Sequence, residues 1–245
     1  MLVDVHAHLD WKSFDKDLDE VIKRAKENKV VSIITNGVNA ESNRASLEIA
    51  KKYDIVKPAL GIYPTDGVNM TEEELDKEIE FIRKAKPFAI GEVGLDLKHL
   101  SSLNKQKKVF ERMIVLAEKL KVPLITHTRQ AEKAILDTLE SSNVKKVILH
   151  TFMGKLKLVK RAESLGYSFS IPPIVVNSEQ MQKLVKEVSI SRLFSETDSP
   201  FLSHKKGERN EPMNVKLVVK KIAELKGLDK IEAEKMIYSN FVKMF

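Results

Sequence analysis

Two repeating patterns of apolar residues alternate along the chain. Short apolar runs rich in β-branched residues, such as 30–35, are typical of buried strands, whereas apolar residues that recur every three or four positions, as in 14–27, predict amphipathic helices. The predicted strands lie at 2–8, 30–35, 56–62, 87–94, 122–127, 146–150, 167–171 and 192–197. The predicted helices lie at 14–27, 41–52, 71–84, 103–120, 130–141, 155–164, 178–188, 212–225 and 230–243.

Eight strands that are each followed by a helix predict the α/β class. We expect a single (β/α)8 TIM barrel with an extra C-terminal helix, formed by residues 1–245 as one domain. Helix-end residues support the boundaries: Thr71 begins a capping-box sequence, Asn177 and Asp229 are predicted caps, and Gly166 follows a predicted helix end. Neither a signal-peptide pattern nor a bilayer-spanning apolar run is present, so we expect a cytoplasmic protein with no membrane partner.

Composition narrows the chemistry. The chain contains no cysteine, which excludes disulfides, zinc–thiolate sites, iron–sulfur clusters and thiol nucleophiles, so any metal must be held by His, Asp and Glu. The formal net charge of +7 favours a polyanionic partner such as nucleic acid, although a lysine-rich surface without such a partner is equally common. No obligate protein partner is predicted.

The first strand carries the strongest local signal of function. Side chains alternate between the two faces of a strand, so Asp4, His6 and His8 share one face. Two imidazoles two residues apart, about 7 Å along a strand, are placed to hold one metal ion between them. The alternative is a pair of hydrogen-bonded core histidines.

The barrel prediction distinguishes these alternatives, because active sites of such barrels lie at the C-terminal ends of the strands. Six side chains that can bind metal fall at or just after predicted strand ends: His6, His8, Glu92, His127, His150 and Asp198. Four of the six histidines of the chain are among them, an arrangement that chance seldom produces. The pattern therefore favours a metal centre.

Six nitrogen and oxygen ligands are too many for one tetrahedral site but suit two divalent ions. One ion would take the two histidines of strand one and Asp198, and the other would take His127 and His150, with Glu92 bridging. Mg, Mn, Zn, Co or Ni remains possible, since ligand type does not identify the ion. Glu92 and Asp198 are the predicted catalytic residues, and Asp198 has a second possible role as proton acceptor for the attacking water.

Several segments together resemble the TatD family of metal-dependent deoxyribonucleases, within the amidohydrolase-type barrels. The matching segments are 4–8 (DVHAH), 91–96 (GEVGLD), 123–129 (PLITHTR), 150–154 (HTFMG), 196–202 (ETDSPFL) and 209–212 (RNEP). The resemblance implies the same six ligands. It also implies cleavage of DNA phosphodiesters, often from a 3′ end, whereas some relatives cleave the ester of misacylated tRNA. Glu92 occupies the place where many amidohydrolases carry a bridging modified lysine.

Three residues are candidate substrate contacts. Arg129 follows His127 by two residues, where its guanidinium could hold a phosphate in a bidentate manner or form a solvated salt bridge. Arg209, on the loop after strand eight, is a second candidate. Tyr63 stands where many relatives have histidine and can donate one hydrogen bond to a phosphate oxygen.

Other residues near the predicted strand ends have less certain roles. Asp96 is more typical of a loop-fixing carboxylate than of a ligand, and His204 is interpreted as a loop residue near the rim. His99 lies where relatives often carry an aromatic residue and an arginine, which leaves its role open. Trp11 and Phe14 are candidates for stacking on a base, although core packing is expected for at least one of them.

The sequence therefore predicts a metal-dependent hydrolase, a deoxyribonuclease with a dinuclear centre, and the resemblance implies 3′-5′ exonuclease activity. The first alternative is an ester or amide hydrolase that acts on aminoacyl-tRNA or a small molecule. The second is a nucleic-acid-binding protein without catalytic activity, which the complete ligand set disfavours. Strandedness of the substrate, DNA versus RNA, and oligomeric state are left open.

Overall fold

Eight parallel strands form one sheet in which each strand pairs with the next along the chain. The computed structural model describes residues 1–245. The strands are β1 (Leu2–Ala7), β2 (Val30–Asn36), β3 (Val56–Leu60), β4 (Ala89–Asp96), β5 (Leu124–Arg129), β6 (Val147–His150), β7 (Ser168–Ile171) and β8 (Leu193–Ser195). Both faces of these strands are mostly buried, as expected for apolar runs in a parallel barrel.

Helices follow the strands and surround the sheet. They are α1 (Leu18–Glu27), α2 (Ala40–Lys52), α3 (Pro64–Asn69), α4 (Glu72–Ala85), α5 (Leu103–Leu120), α6 (Glu132–Glu140), α7 (Leu156–Ser164), α8 (Glu179–Glu187), α9 (Val215–Lys226) and α10 (Lys230–Met244). The structure thus confirms the predicted (β/α)8 barrel and the extra C-terminal helix. None of the helices combines the length and the apolar stretch that crossing a bilayer requires.

The barrel closes between β8 and β1 through a few backbone hydrogen bonds just beyond the end of β8. The N–H of Asp198 donates to the carbonyl oxygen of His6 at 2.8 Å, and the N–H of His8 donates to the carbonyl oxygen of Ser199 at 2.8 Å. A parallel bridge pairs Ala7 with Ser199 at the same level. The segment that closes the barrel is therefore the segment that carries Asp198.

The predicted helix boundaries hold with local exceptions. Thr71 and Asp229 cap α4 and α10 as predicted. The predicted cap at Asn177 is wrong: Ser178 caps α8 by accepting from the N–H of Met181, and the Asn177 amide instead donates to the carbonyl oxygen of His204. Short hydroxyl side chains compete effectively for this position because they reach the free N–H groups of the first turn.

Two further differences concern the loops that leave the strands. The first helix begins at Leu18 instead of residue 14, because Phe14 is buried within a separate 3₁₀ turn, Lys12–Phe14. The short helix α3 was not predicted. It begins with Pro64 in its first turn, a position that proline favours. Both segments lie beside the C-terminal rim of the barrel.

Candidate metal centre

The six predicted ligands converge at the C-terminal rim of the barrel. They come from β1 and the residue directly after it, from β4, β5 and β6, and from the segment after β8, and all of them are buried: His6, His8, Glu92, His127, His150 and Asp198. Within the set, two groups of three ligand atoms each lie within 4.8 Å of one another. The barrel therefore brings together side chains that are distant in sequence, as the strand-end rule predicts.

The first group consists of His6, His8 and Asp198. The Nε2 atoms of the two histidines lie 3.3 Å apart, and Asp198 Oδ1 lies 3.5 Å from His6 Nε2 and 3.3 Å from His8 Nε2. The two imidazoles lie close together, edge to face with centroids 5.1 Å apart, because side chains two residues apart on a strand point to the same face. Three donor atoms directed at one point are the arrangement that a divalent cation binds.

The second group consists of Glu92, His127 and His150. Glu92 Oε1 lies 3.4 Å from His127 Nδ1, and Glu92 Oε2 lies 3.0 Å from His8 Nε2 in the first group. The two oxygens of one carboxylate thus face different histidine groups. This places Glu92 between the two groups.

The backbone at the rim adopts uncommon conformations. The φ angle of Glu92 is +38° and that of Asp198 is +55°, in the left-handed region that residues with a Cβ rarely occupy. Thr151, directly after His150, has a φ of +42°. Each residue in this backbone conformation destabilises the fold by about 1–3 kcal/mol, and the conformation persists only where the surrounding structure holds it in place. The fold therefore holds the carboxylates of two predicted ligands in strained positions, which is typical of functional sites.

Glu196 holds the ring of His150. The fully buried Glu196 carboxylate receives the Nδ1–H of His150 at 2.8 Å, and it also accepts from the hydroxyls of Thr151 and Ser170. Burial raises the pKa of Glu196, but the charge of His150 and the hydrogen bonds outweigh burial and leave the pKa below its usual value. Glu196 has no role among the residues predicted from the sequence. Alternation along the predicted strand 192–197 could have pointed to Glu196, because it lies two residues before Asp198.

Asp96 plays the same part for His127. Asp96 Oδ2 lies 3.2 Å from His127 Nε2, and it accepts from the hydroxyl of Tyr63 at 2.9 Å and from Nδ1 of His99 at 2.7 Å. Asp96 Oδ1 accepts from the backbone N–H of Lys98 and of His99. Burial and the Glu92 and Asp96 carboxylates raise the pKa of Tyr63, so its hydroxyl keeps its proton and acts as a donor. This network fixes the loop after β4 against His127.

Three buried carboxylates set the electrostatics of the centre. Burial lowers the pKa of both His8 and His150, but the carboxylates outweigh it: Glu92 and Asp198 raise that of His8 well above its usual value, and Glu196 and Asp198 raise that of His150 to about 9. The pKa of His6 is lowered by burial and by the neighbouring His150. The carboxylates therefore favour positive charge in the cavity.

The donor set fits divalent metal ions. Buried Glu92 Oε2 and His127 Nδ1 have no hydrogen-bond partner within the chain, so both have capacity left for a ligand. Imidazole nitrogens and carboxylate oxygens without sulfur suit Mn, Zn, Co or Ni, and Mg through the carboxylates. The residues present therefore fit the metal centre that the sequence predicts.

The predicted substrate contacts differ in their surroundings. Arg129 is exposed at the end of β5 and forms no ion pair. Arg209 instead pairs with Asp17 at 2.6 Å and with Glu211 at 3.0 Å, and its guanidinium lies over the ring of Phe14. The charge of Arg209 is therefore balanced by two carboxylates, whereas that of Arg129 is free for a ligand.

Comparisons with known proteins agree with this architecture. A family model described as TatD related DNase matches residues 3–245. Deoxyribonuclease TATDN3 of Homo sapiens is 34% identical to the chain, covering 100% of it and 94% of the relative. An uncharacterized metal-dependent hydrolase of Methanocaldococcus jannaschii is 36% identical, covering 99% of the chain and 96% of the relative. Among solved structures, a TatD homolog from Escherichia coli superposes with a TM-score of 0.93 at 24% identity, covering 100% of the chain and 97% of that structure.

Proposed function

Since the chain belongs to the TatD-related DNase family, we propose that it is a deoxyribonuclease that cleaves DNA phosphodiester bonds with a dinuclear metal centre. The observation that carries this proposal is the position of Glu92, whose two carboxylate oxygens face the two histidine groups at 3.0 and 3.4 Å. A carboxylate in this position suits a bridging ligand. Residues 1–245 would act as one domain.

Two divalent ions in such a centre would activate a water molecule and neutralise the charge that develops on the attacking and leaving oxygens. The protein contributes the placement of the reacting groups. The Asp198 carboxylate, whose Oδ1 lies within 3.3–4.0 Å of three histidine nitrogens, would accept the proton of the attacking water. Glu196 and Asp96 would keep the rings of His150 and His127 in one orientation and one tautomer.

Arg129 would hold the phosphate from outside the centre. Its exposed guanidinium has no competing carboxylate, and it lies on the same strand as His127. Tyr63 would act mainly through Asp96 and His127, because its hydroxyl already contacts both at 2.9 and 3.0 Å. Arg209 receives no phosphate in this proposal, since Asp17 and Glu211 hold its guanidinium.

The choice of DNA rests on the named relatives, of which Homo sapiens TATDN3 is called a deoxyribonuclease. Cleavage from a 3′ end is the more specific part of the proposal. The same centre could hydrolyse an ester of aminoacyl-tRNA, and the test therefore includes that substrate. The working ion would be Mg, Mn, Zn, Co or Ni.

The test is cleavage of an end-labelled single-stranded DNA oligonucleotide in EDTA and with each metal added. Wild type is compared with Glu92→Gln and with Glu78→Gln, a buried glutamate outside the centre that pairs with Arg44. We expect metal-dependent shortening from the 3′ end that Glu92→Gln abolishes and Glu78→Gln retains. If no metal supports cleavage of DNA while charged tRNA is deacylated, the deoxyribonuclease proposal is wrong.

A further inference from the structure

Two large aromatic side chains are exposed beside the candidate metal centre. Trp11 is 47% exposed and Phe201 is 40% exposed, and their rings meet edge to face with centroids 5.0 Å apart. Phe201 also contacts the ring of His8, at a centroid distance of 5.9 Å. Phe201 therefore lies between a predicted metal ligand and Trp11.

Both aromatic residues are tied to the centre by the backbone. The N–H of Trp11 donates to the carbonyl oxygen of His8 at 3.2 Å, and the N–H of Phe201 donates to the carbonyl oxygen of Asp198 at 2.7 Å. Each aromatic residue thus lies three residues after a predicted ligand, within a hydrogen-bonded turn. These turns fix the position of both rings relative to the metal centre.

Core packing does not account for this pair. The neighbouring Phe14 is completely buried, so Phe14 and not Trp11 is the aromatic residue that this loop contributes to the core. An exposed tryptophan ring offers a large apolar area for contact, and tryptophan is enriched at interfaces. The Trp11 and Phe201 rings are therefore available to a planar ligand at the rim.

We propose that Trp11, braced by Phe201, stacks on an unpaired nucleobase of the substrate next to the bond that is cleaved. This inference rests on the proposed function and specifies its substrate as single-stranded or frayed nucleic acid. A base can stack on an aromatic side chain only when the face of the base is not covered by a neighbouring base, as in a single strand. The rings of Trp11 and Phe201 are inclined by 73°, so one base can lie parallel to only one of them.

The charge around the pair suits a polyanion. Lys12, directly after Trp11, is exposed and unpaired, and Lys206 is exposed and unpaired on the loop that follows Phe201. Lysines beside stacking aromatics are typical of surfaces that bind single-stranded nucleic acid, where the cations follow the backbone and the rings take the bases. The two loops therefore place both lysines and aromatic rings next to the centre.

The chain provides its own probe, since Trp11 is its only tryptophan. The experiment titrates the protein in EDTA, where cleavage is blocked, with an oligothymidylate, with an oligomer of the same length that carries abasic sites, and with a closed circular duplex that has no exposed end. Intrinsic fluorescence then reports directly on the environment of Trp11. We expect quenching by the oligothymidylate and little change with the abasic oligomer or the duplex.

Variants separate stacking from other effects. Phe201→Ala keeps the fluorophore and should weaken oligothymidylate binding about tenfold, and Trp11→Ala should do the same as measured by anisotropy of a labelled oligonucleotide. Trp11→Phe should recover most of the affinity. Phe245→Ala is the matched control, because Phe245 belongs to an aromatic cluster with Phe88 and Phe241 and has no contact with the centre. This variant should bind like the wild type.

The inference is overturned if the abasic and thymidine oligomers bind equally well, or if Trp11→Ala binds like the wild type. These outcomes are independent of the proposed function, because the titration measures binding without hydrolysis. Quenching without metal-dependent cleavage would support the base platform and contradict the nuclease. Cleavage with unchanged KM in Trp11→Ala would support the nuclease and contradict the platform.

Discussion

Nδ1 of His150 donates to the buried Oε2 of Glu196 at 2.8 Å. Because Glu196 is ionised and can only accept, this bond fixes the proton on Nδ1 and directs Nε2 of His150 toward the centre. The pair joins β6 to the segment after β8, between residues that are far apart in sequence. A residue that binds no substrate can thus decide how a predicted metal ligand is presented.

Glu196→Gln should therefore lower metal affinity about ten- to a hundredfold, the usual cost of losing a carboxylate that orients a ligand histidine. Glutamine cannot match the ionised acceptor, although it has a similar shape. Isothermal titration calorimetry with Mn²⁺ or Zn²⁺ measures the effect. Glu78→Gln changes a buried glutamate elsewhere and should leave metal affinity unchanged. Equal affinity of wild type and Glu196→Gln would contradict the role given to Glu196.

Arg129 and Arg209 should respond in opposite ways to replacement by glutamine. Arg129→Gln should raise KM for DNA about tenfold with little effect on thermal stability, because the unpaired guanidinium at the rim would contact phosphate. It should also reduce the dependence of binding on salt.

Arg209→Gln should instead lower the free energy of unfolding by about 1 kcal/mol and leave KM unchanged, since Arg209 holds Asp17 and Glu211 together at a partly exposed site. Thermal melts and steady-state kinetics on both variants give the comparison. If Arg209→Gln raises KM and Arg129→Gln does not, then Arg209 and not Arg129 contacts the phosphate.

Metal binding should stabilise the fold. A ligand present at about 100 times its Kd adds about 2.7 kcal/mol to the free energy of unfolding, which corresponds to a Tm increase of about 5–10 °C for a chain of this size. EDTA should reverse the increase. Glu92→Gln should lose most of it, because the carboxylate that faces both histidine groups is gone. If added metal leaves the Tm of the wild type unchanged, the proposed metal centre is contradicted.

The affinity for metal should rise with pH. The pKa of His150 is about 9, against an ordinary value of 6.5, because Glu196 and Asp198 outweigh the effect of burial. At pH 7 His150 is therefore protonated and must release a proton before its Nε2 can bind a metal. Affinity should increase between pH 7 and about 9 and level off above that.

Calorimetry at pH 7 in two buffers of different ionisation enthalpy measures the protons released. We expect at least a fractional proton per metal bound, and less in Glu196→Gln, where the pKa of His150 should be lower. An identical heat in both buffers would show that His150 is already neutral.

The sequence was sufficient to predict the barrel and the side chains that gather at its rim. Strand periodicity can be read from neighbouring residues, and the position of strand ends at one rim follows from the barrel topology. It did not predict which polar groups meet across the rim. The sequence offered Arg209 as a phosphate contact but did not predict its pairing with Asp17, because those residues lie 192 positions apart. Trp11 and Phe14 looked equivalent, yet a 3₁₀ turn buries Phe14 and leaves Trp11 exposed.

The hydrogen bond from Asp198 to His6 bears on when the centre can form during biosynthesis. It joins a residue from the start of the chain to one near its end, and both are predicted ligands. During synthesis the first strand leaves the ribosome long before residue 198, so no chain that ends before residue 198 can contain all six predicted ligands. A nascent copy that ends before residue 198 therefore lacks one of the predicted ligands, and the proposed activity begins only after that residue has been added.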